Sequence, residues 1–138
     1  MKYNPKIYHR RSIRLKEYDY SQCGYYYITV CTKNMECWFG NVVGGEMKLS
    51  DIGEIVKKCW VEIPQQFGTS IANSLPMIVN HFKSAVKRWC NKNNREYFQW
   101  HRNYYEHIIR NEIALNRIRE YIINNPLKSH LSNTKNFY

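Results

Sequence analysis

The sequence predicts an α+β domain. Two segments read as strands, three as helices, and a glycine pair marks a hairpin between them. Residues 25–32 are aromatic and β-branched throughout, and residues 97–109 form a second aromatic-rich run. Apolar residues at helical spacing recur after residues 50, 74 and 111, each a capping type. A length of 138 residues suits one domain.

The elements follow in order. Residues 1–24 form a basic arm with Lys2, Lys6, Arg10, Arg11, Arg14 and Lys16. Such an arm is either a solvated tail or a phosphate clamp. The core domain is expected over 25–126. Its first strand, 25–32, carries no charge and reads as buried on both faces. Residues 38–49 read as a hairpin turning at Gly44-Gly45. Ser50 or Asp51 then caps a helix, and Glu54 stands at capping-box spacing from Asp51. Ile52, Ile55, Val56, Cys59, Trp60 and Ile63 share one face of it, and Pro64 stops it.

A polar linker at 68–74 leads to the second helix, with Ser74 as cap and Pro76 in the first turn. Ile78, Phe82, Ala85, Val86 and Trp89 form its predicted stripe. Lys83, Lys87 and Arg88 decorate its other faces. The second strand is predicted over 97–109. Asn111 caps the last helix, which turns Ile113, Leu115, Ile118 and Ile122 inward. Asn124-Asn125-Pro126 is expected to end it, leaving 127–138 as a flexible tail.

Charge narrows the function. Lys plus Arg total 21 against 11 acidic residues, a formal net charge of +10. The isoelectric point is near 9.5. That balance points to a polyanion, most simply nucleic acid. Twelve tyrosines offer stacking surface as well as core. No apolar run reaches the roughly 18 residues of a membrane helix. Nor does the N-terminal segment read as a signal peptide. A cytoplasmic protein with no membrane partner is therefore expected. Cys23, Cys31, Cys37, Cys59 and Cys90 are an odd set with no Cys-x-x-Cys pair, as suits reduced thiols.

Tyr121 and Asn125 lie four residues apart, hence on one face of the last helix. A phenol beside an oxygen ligand can attack a phosphodiester and hold a metal. Alone, Tyr121 reads more simply as a core residue beside the Leu115–Ile118–Ile122 stripe, and Asn125 as helix-stop chemistry before Pro126. His101 and His107, six apart on a strand, share a face, but at roughly 20 Å they are too distant to share an ion. Phosphate contact or packing fits them better.

Five segments carry a resemblance: Arg11-Ser-Ile-Arg-Leu, Tyr26-Tyr-Ile-Thr-Val-Cys-Thr, Phe82-Lys-Ser-Ala-Val, Trp100-His-Arg-Asn-Tyr-Tyr-Glu-His-Ile-Ile-Arg and Glu120-Tyr-Ile-Ile-Asn-Asn-Pro. In this order the chain resembles the REP-associated tyrosine transposases, a branch of the single-tyrosine HUH transposases. The last two segments are the specific ones. The resemblance implies a ferredoxin-like βαββαβ fold followed by a helix that carries the tyrosine. It implies Tyr121 as nucleophile on single-stranded hairpin DNA, giving a 5′-phosphotyrosine and a free 3′-OH. It implies a divalent metal, Mg²⁺ or Mn²⁺, with Asn125 as one ligand. DNA contacts would come from Arg10, Arg11, Arg14, Lys83, Lys87, Arg88, Arg102 and His107.

One departure is large. The family's His-x-His pair sits on a central strand between the two helices. Here the helices are joined by a short linker, with the missing stretch expected at residues 67–68. No two of His9, His81, His101, His107 and His130 are one residue apart. The fold is thus expected to be truncated, with two central strands missing. First and last strands are neighbours in the family's sheet, so a two-stranded remnant could survive. Its open edge would invite a homodimer. The expected function is DNA binding with impaired catalysis. The alternatives are an active nuclease whose metal site is rebuilt in a dimer through His81 or His101, and a DNA-binding regulator with no chemistry.

Overall fold

The computed structural model describes residues 17–20, 24–64 and 74–134, with side chains up to residue 126. Arg10, Arg11 and Arg14 of the arm, most of the 68–74 linker and the last four residues lie outside the described residues. The fold is α+β. Strand β1 spans Tyr25–Thr32 and runs into one 3₁₀ turn, Lys33–Met35. Strands β2 (Gly40–Val43) and β3 (Glu46–Leu49) follow. Helix α1 (Asp51–Val61) and helix α2 (Leu75–Lys92) come next. Strand β4 (Trp100–Ile109) and helix α3 (Glu112–Thr134) complete the chain.

β1 and β4 form one antiparallel pair, and β2 and β3 form another. The β1–β4 register sets Tyr27 opposite His107, Ile28 opposite Glu106 and Thr29 opposite Tyr105. Side chains alternate along a strand. Tyr26, Ile28 and Val30 therefore share one sheet face with Tyr104, Glu106 and Ile108. Tyr25, Tyr27 and Thr29 share the other with Tyr105, His107 and Ile109.

The first face packs against the start of α2, where Leu75, Val79 and Tyr104 form a small core with Tyr26, Ile28 and Val30 against it. The far half of α2 supplies Phe82, Val86 and Cys90 to a second core with Ile52 and Phe98. One helix thus joins both cores. Its buried stripe is Leu75, Val79, Phe82, Val86 and Cys90. Phe82 and Val86 were expected there; Ile78, Ala85 and Trp89 flank the stripe half-buried. The sheet and α1 meet α2 on adjoining sides, which rolls the buried line about one residue from the predicted one.

Other expectations shift for local reasons. β1 is half-buried along most of its length, not buried on both faces. Ser50, not Asp51, caps α1: its Oγ accepts from Gly53 N–H at 3.0 Å and donates to the Trp38 carbonyl at 2.6 Å. That puts Gly53, which has no side chain to return the bond, where a capping box needs Glu. Gly53 has another task. A Cβ there would lie 2.1 Å from the Phe39 carbonyl oxygen, so only glycine lets α1 close on the hairpin. Gly44 and Gly45 have φ of 59° and 81°, both left-handed, as a tight mirror-type hairpin turn requires.

β4 begins three residues later than predicted, because Phe98 N–H bonds to the Arg95 carbonyl in a turn that buries Phe98 completely. Asn111 caps α3 as expected, accepting from Ala114 N–H at 2.8 Å. The helix does not stop at Pro126 but continues to Thr134, so residues 127–134 are helical, not a tail. Proline loses one helical hydrogen bond, to the carbonyl four residues back. Here that residue is Ile122, which is exposed, so water can satisfy the freed oxygen. Nor does α3 bury its predicted side. Leu115 and Ile118 are half-buried, while Ile113 and Ile122 are exposed. Among the described residues, no helix is long and apolar enough to cross a membrane.

Candidate functional site

α3 lies over the sheet face opposite α2 and the cores. Tyr121, on its third turn, is 47% exposed. Its ring meets Tyr27 edge to face, with centroids 6.5 Å apart and an 89° interplanar angle. Tyr27 is the direct cross-strand neighbour of His107. Such neighbours hold their Cβ atoms about 4.5–5.5 Å apart. Tyr121, Tyr27, His107 and Tyr105 therefore gather on one face. His107 and Tyr105 are exposed there. Tyr27 was not singled out from the sequence. Strand alternation could have put it on a face with Thr29, but pairing it with His107 needs the register.

Asn125 sits one turn beyond Tyr121. It lines a cavity of about 700 Å³ with Cys31, Thr32, Glu36, Asn41 and Met47. This cavity runs along the end of β1 and reaches the β2–β3 hairpin. Thr32 is committed within it, donating to the Glu36 carbonyl at 2.6 Å. Among the described residues, the donors around that cavity are the amides of Asn125 and Asn41, the Cys31 and Cys37 thiols and the exposed Glu36 carboxylate. Hard divalent cations take about six oxygen ligands. Among the described residues, no three His, Cys, Asp or Glu side chains converge to hold a metal. The residues present do not fit the metal that the resemblance implies.

The basic residues of α2 lie on another side. Lys83 Nζ donates to the His101 carbonyl at 2.8 Å and lies 6.0 Å from the Trp100 ring centroid. Partial burial pulls its pKa below the usual lysine value. Lys87 Nζ donates to the carbonyls of Glu96, at 2.9 Å, and Phe98. Both lysines tether the approach to β4. Arg88 is exposed and shares a shallow cavity of about 400 Å³ with them, Ser84, Asn91 and Trp100. Arg102 is exposed two residues beyond Trp100, in the stretch of β4 where the register with β1 shifts.

The predicted residues therefore fall into two groups. Tyr121, Asn125 and His107 belong to the α3 face. Lys83, Lys87 and Arg88 belong to the α2 side. His101, like His107, is exposed, and both it and Arg102 lie in the stretch of β4 where the register shifts. A separate apolar groove of about 490 Å³, between β1, α1 and the hairpin, touches neither Tyr121 nor Asn125. Cys90 is buried and Cys59 half-buried against the same core, and burial raises the pKa of both thiols.

No family model and no solved structure matches the chain. A protein of Haemophilus influenzae described as an uncharacterized protein is 38% identical over 169 positions. The alignment covers 91% of this chain and 93% of that protein. Since the chain has 138 residues, at least 31 of the 169 positions have no counterpart in it. Those gaps are internal to the aligned region. The chain belongs to the family of this Haemophilus influenzae protein.

Proposed function

We propose that this chain is an internally shortened single-tyrosine transposase of the REP-associated type. On this reading it binds single-stranded hairpin DNA in the cytoplasm and has lost most or all of its strand-transfer activity. The observation that carries the reading is the arrangement on α3: Tyr121 and Asn125 one turn apart, over a sheet that among the described residues consists of β1 and β4.

Three further points support it. β1 and β4 are the pair that would remain if a ferredoxin-like sheet lost its two central strands. The Haemophilus relative has at least 31 aligned positions that this chain lacks, enough for two strands and a turn. Asn125 faces a cavity beside β1, where a neighbouring strand would bring its side chains.

Impaired catalysis follows from the donor set. Tyr121 can present a phenol, but among the described residues no three His, Cys, Asp or Glu side chains converge to hold a metal that would neutralise charge on a scissile phosphate. Binding needs no such ligands. Arg88, Arg102 and the arm supply positive charge for phosphates.

The test is a 5′-labelled single-stranded hairpin with Mn²⁺, run on a denaturing gel beside Tyr121→Phe. The expected result is no covalent adduct, with a salt-sensitive mobility shift on a native gel. A Tyr121-dependent adduct would mean retained strand transfer, with ligands from a second copy. Absence of both adduct and shift would refute the DNA reading.

A further inference from the structure

Two of the chain's five cysteines and two of its four methionines line the cavity beside Asn125. Cys31 and Cys37 are free thiols, the first half-buried and the second exposed. Met35 and Met47 are 73% and 40% exposed. The backbone explains the gathering. Cys31 and Cys37 flank a closed turn: Thr32 Oγ donates to the Glu36 carbonyl at 2.6 Å, and Glu36 N–H donates to the Lys33 carbonyl at 3.4 Å. Inside the turn, Asn34 and Met35 hold φ of 58° and 57°. Asparagine visits this left-handed region more readily than methionine does, so the turn carries strain at Met35. Met47 comes from the hairpin, on β3 opposite Val42, which lines the same cavity.

We propose that this cavity binds a soft monovalent metal ion, Cu(I), through the thiolates of Cys31 and Cys37, with Met35 and Met47 as thioether ligands. The donor set selects the class. Thiolate and thioether sulfur favour Cu(I), whereas carboxylate, carbonyl and water favour Mg²⁺ and Mn²⁺. Hard cations take about six oxygens, and Glu36 is the one charged residue that lines the cavity. Zn²⁺ sites are almost always four-coordinate, and among the described residues no three His, Cys, Asp or Glu side chains converge to hold a metal. Two thiolates can complete the shell of Cu(I). Binding is an acid–base exchange: each thiol loses its proton to solvent, each sulfur gives an electron pair to the metal, and the copper stays Cu(I). The ion would tie the turn after β1 to the hairpin. It needs neither DNA nor the Tyr121 phenol.

The experiment uses the full chain, reduced and without oxygen, titrated with Cu(I) against a chromophoric Cu(I) chelator. The expected result is one ion held per chain against the chelator, with sulfur alone in its shell by X-ray absorption. Cys31→Ser and Cys37→Ser should each weaken binding about 100-fold or more, since loss of an outer-shell partner alone costs about 10–100-fold. Met35→Leu and Met47→Leu should weaken it less, and Cys59→Ser should leave it unchanged. If a serine variant fails to fold by circular dichroism, alkylation of the wild type read by mass spectrometry decides: Cu(I) should protect Cys31 and Cys37. Failure to compete with the chelator overturns the proposal. So does protection confined to other cysteines, an affinity unchanged by Cys31→Ser and Cys37→Ser, or Zn²⁺ or Mn²⁺ held more tightly than Cu(I).

Discussion

Tyr27 supports Tyr121 from the sheet, edge to face at 6.5 Å, with His107 beside it across the strand pair. A pair of this geometry adds about 0.5–1.5 kcal/mol beyond area burial. Tyr27→Ala should therefore lower unfolding free energy by about 1–3 kcal/mol, read from urea midpoints. Tyr27→Phe keeps the ring and should stay within about 0.5 kcal/mol of wild type. A null result for both would mean that Tyr121 stands without this contact. Tyr121 and Asn125 were legible as a pair because helical spacing alone puts them on one face. Tyr27 was not, since its role depends on a strand partner eighty residues away in sequence (His107). The lysines show the converse limit. Lys83 and Lys87 read as free positive charge, but their ammonium groups bond backbone carbonyls. Local sequence holds no sign of that.

The elements were legible where local chemistry decides. β1 has the predicted bounds because eight successive β-formers leave no competing pattern. The hairpin turns at Gly44-Gly45 because only that pair accepts two positive φ angles cheaply. α3 was misjudged because the Pro126 rule is a penalty, not a prohibition. The penalty is still present, about 3 kcal/mol relative to Ala in a helix interior. Pro126→Ala should raise the helical circular dichroism signal and slow amide exchange around residues 120–126; unchanged exchange would mean the α3 end is held by other contacts.

A second element-scale device is the tie between the start of α1 and the turn after α2. Arg95 Nη2 lies 2.7 Å from Asp51 Oδ2, and its Nε donates to the same oxygen at 2.9 Å. The Arg95 hydrogen bond, with help from Ile52 N–H, holds the Asp51 carboxyl below its ordinary 3.8. A lowered folded-state pKa means the unfolded chain binds the proton first as pH falls. The contribution is present above the ordinary aspartate value and is lost as pH drops through the folded one. Urea midpoints of wild type should fall more steeply than those of Asp51→Asn across the acid range below pH ~4. Added salt should shrink the difference, because the pair is exposed. Parallel curves would exclude the tie as a source of acid sensitivity.

At the scale of the molecule, α2 is the shared wall of both cores, and positive charge is arranged around it. If DNA lies along that side and the adjoining start of β4, Arg88→Ala and Arg102→Ala should each weaken binding for all sequences alike. Each should also reduce the magnitude of the log K against log salt slope by about 0.7–0.9. An unchanged slope would remove that residue from the contact surface. The fold class was legible because strands and helices announce themselves by period. The pairing of β1 with β4 was expected only through the resemblance, and its residue-by-residue register was not legible, because register is a property of two distant segments.

That pairing bears on synthesis. β1 and β4 lie at opposite ends of the folded core sequence, so roughly seventy residues must follow β1 before its partner is made, at about 5–20 per second. For several seconds an uncharged, tyrosine-rich strand leaves the ribosome with neither edge paired. Slower growth at low temperature, or a chaperone that shields extended segments, should raise soluble yield. A substitution that places a lysine at exposed Tyr25 should do the same without either.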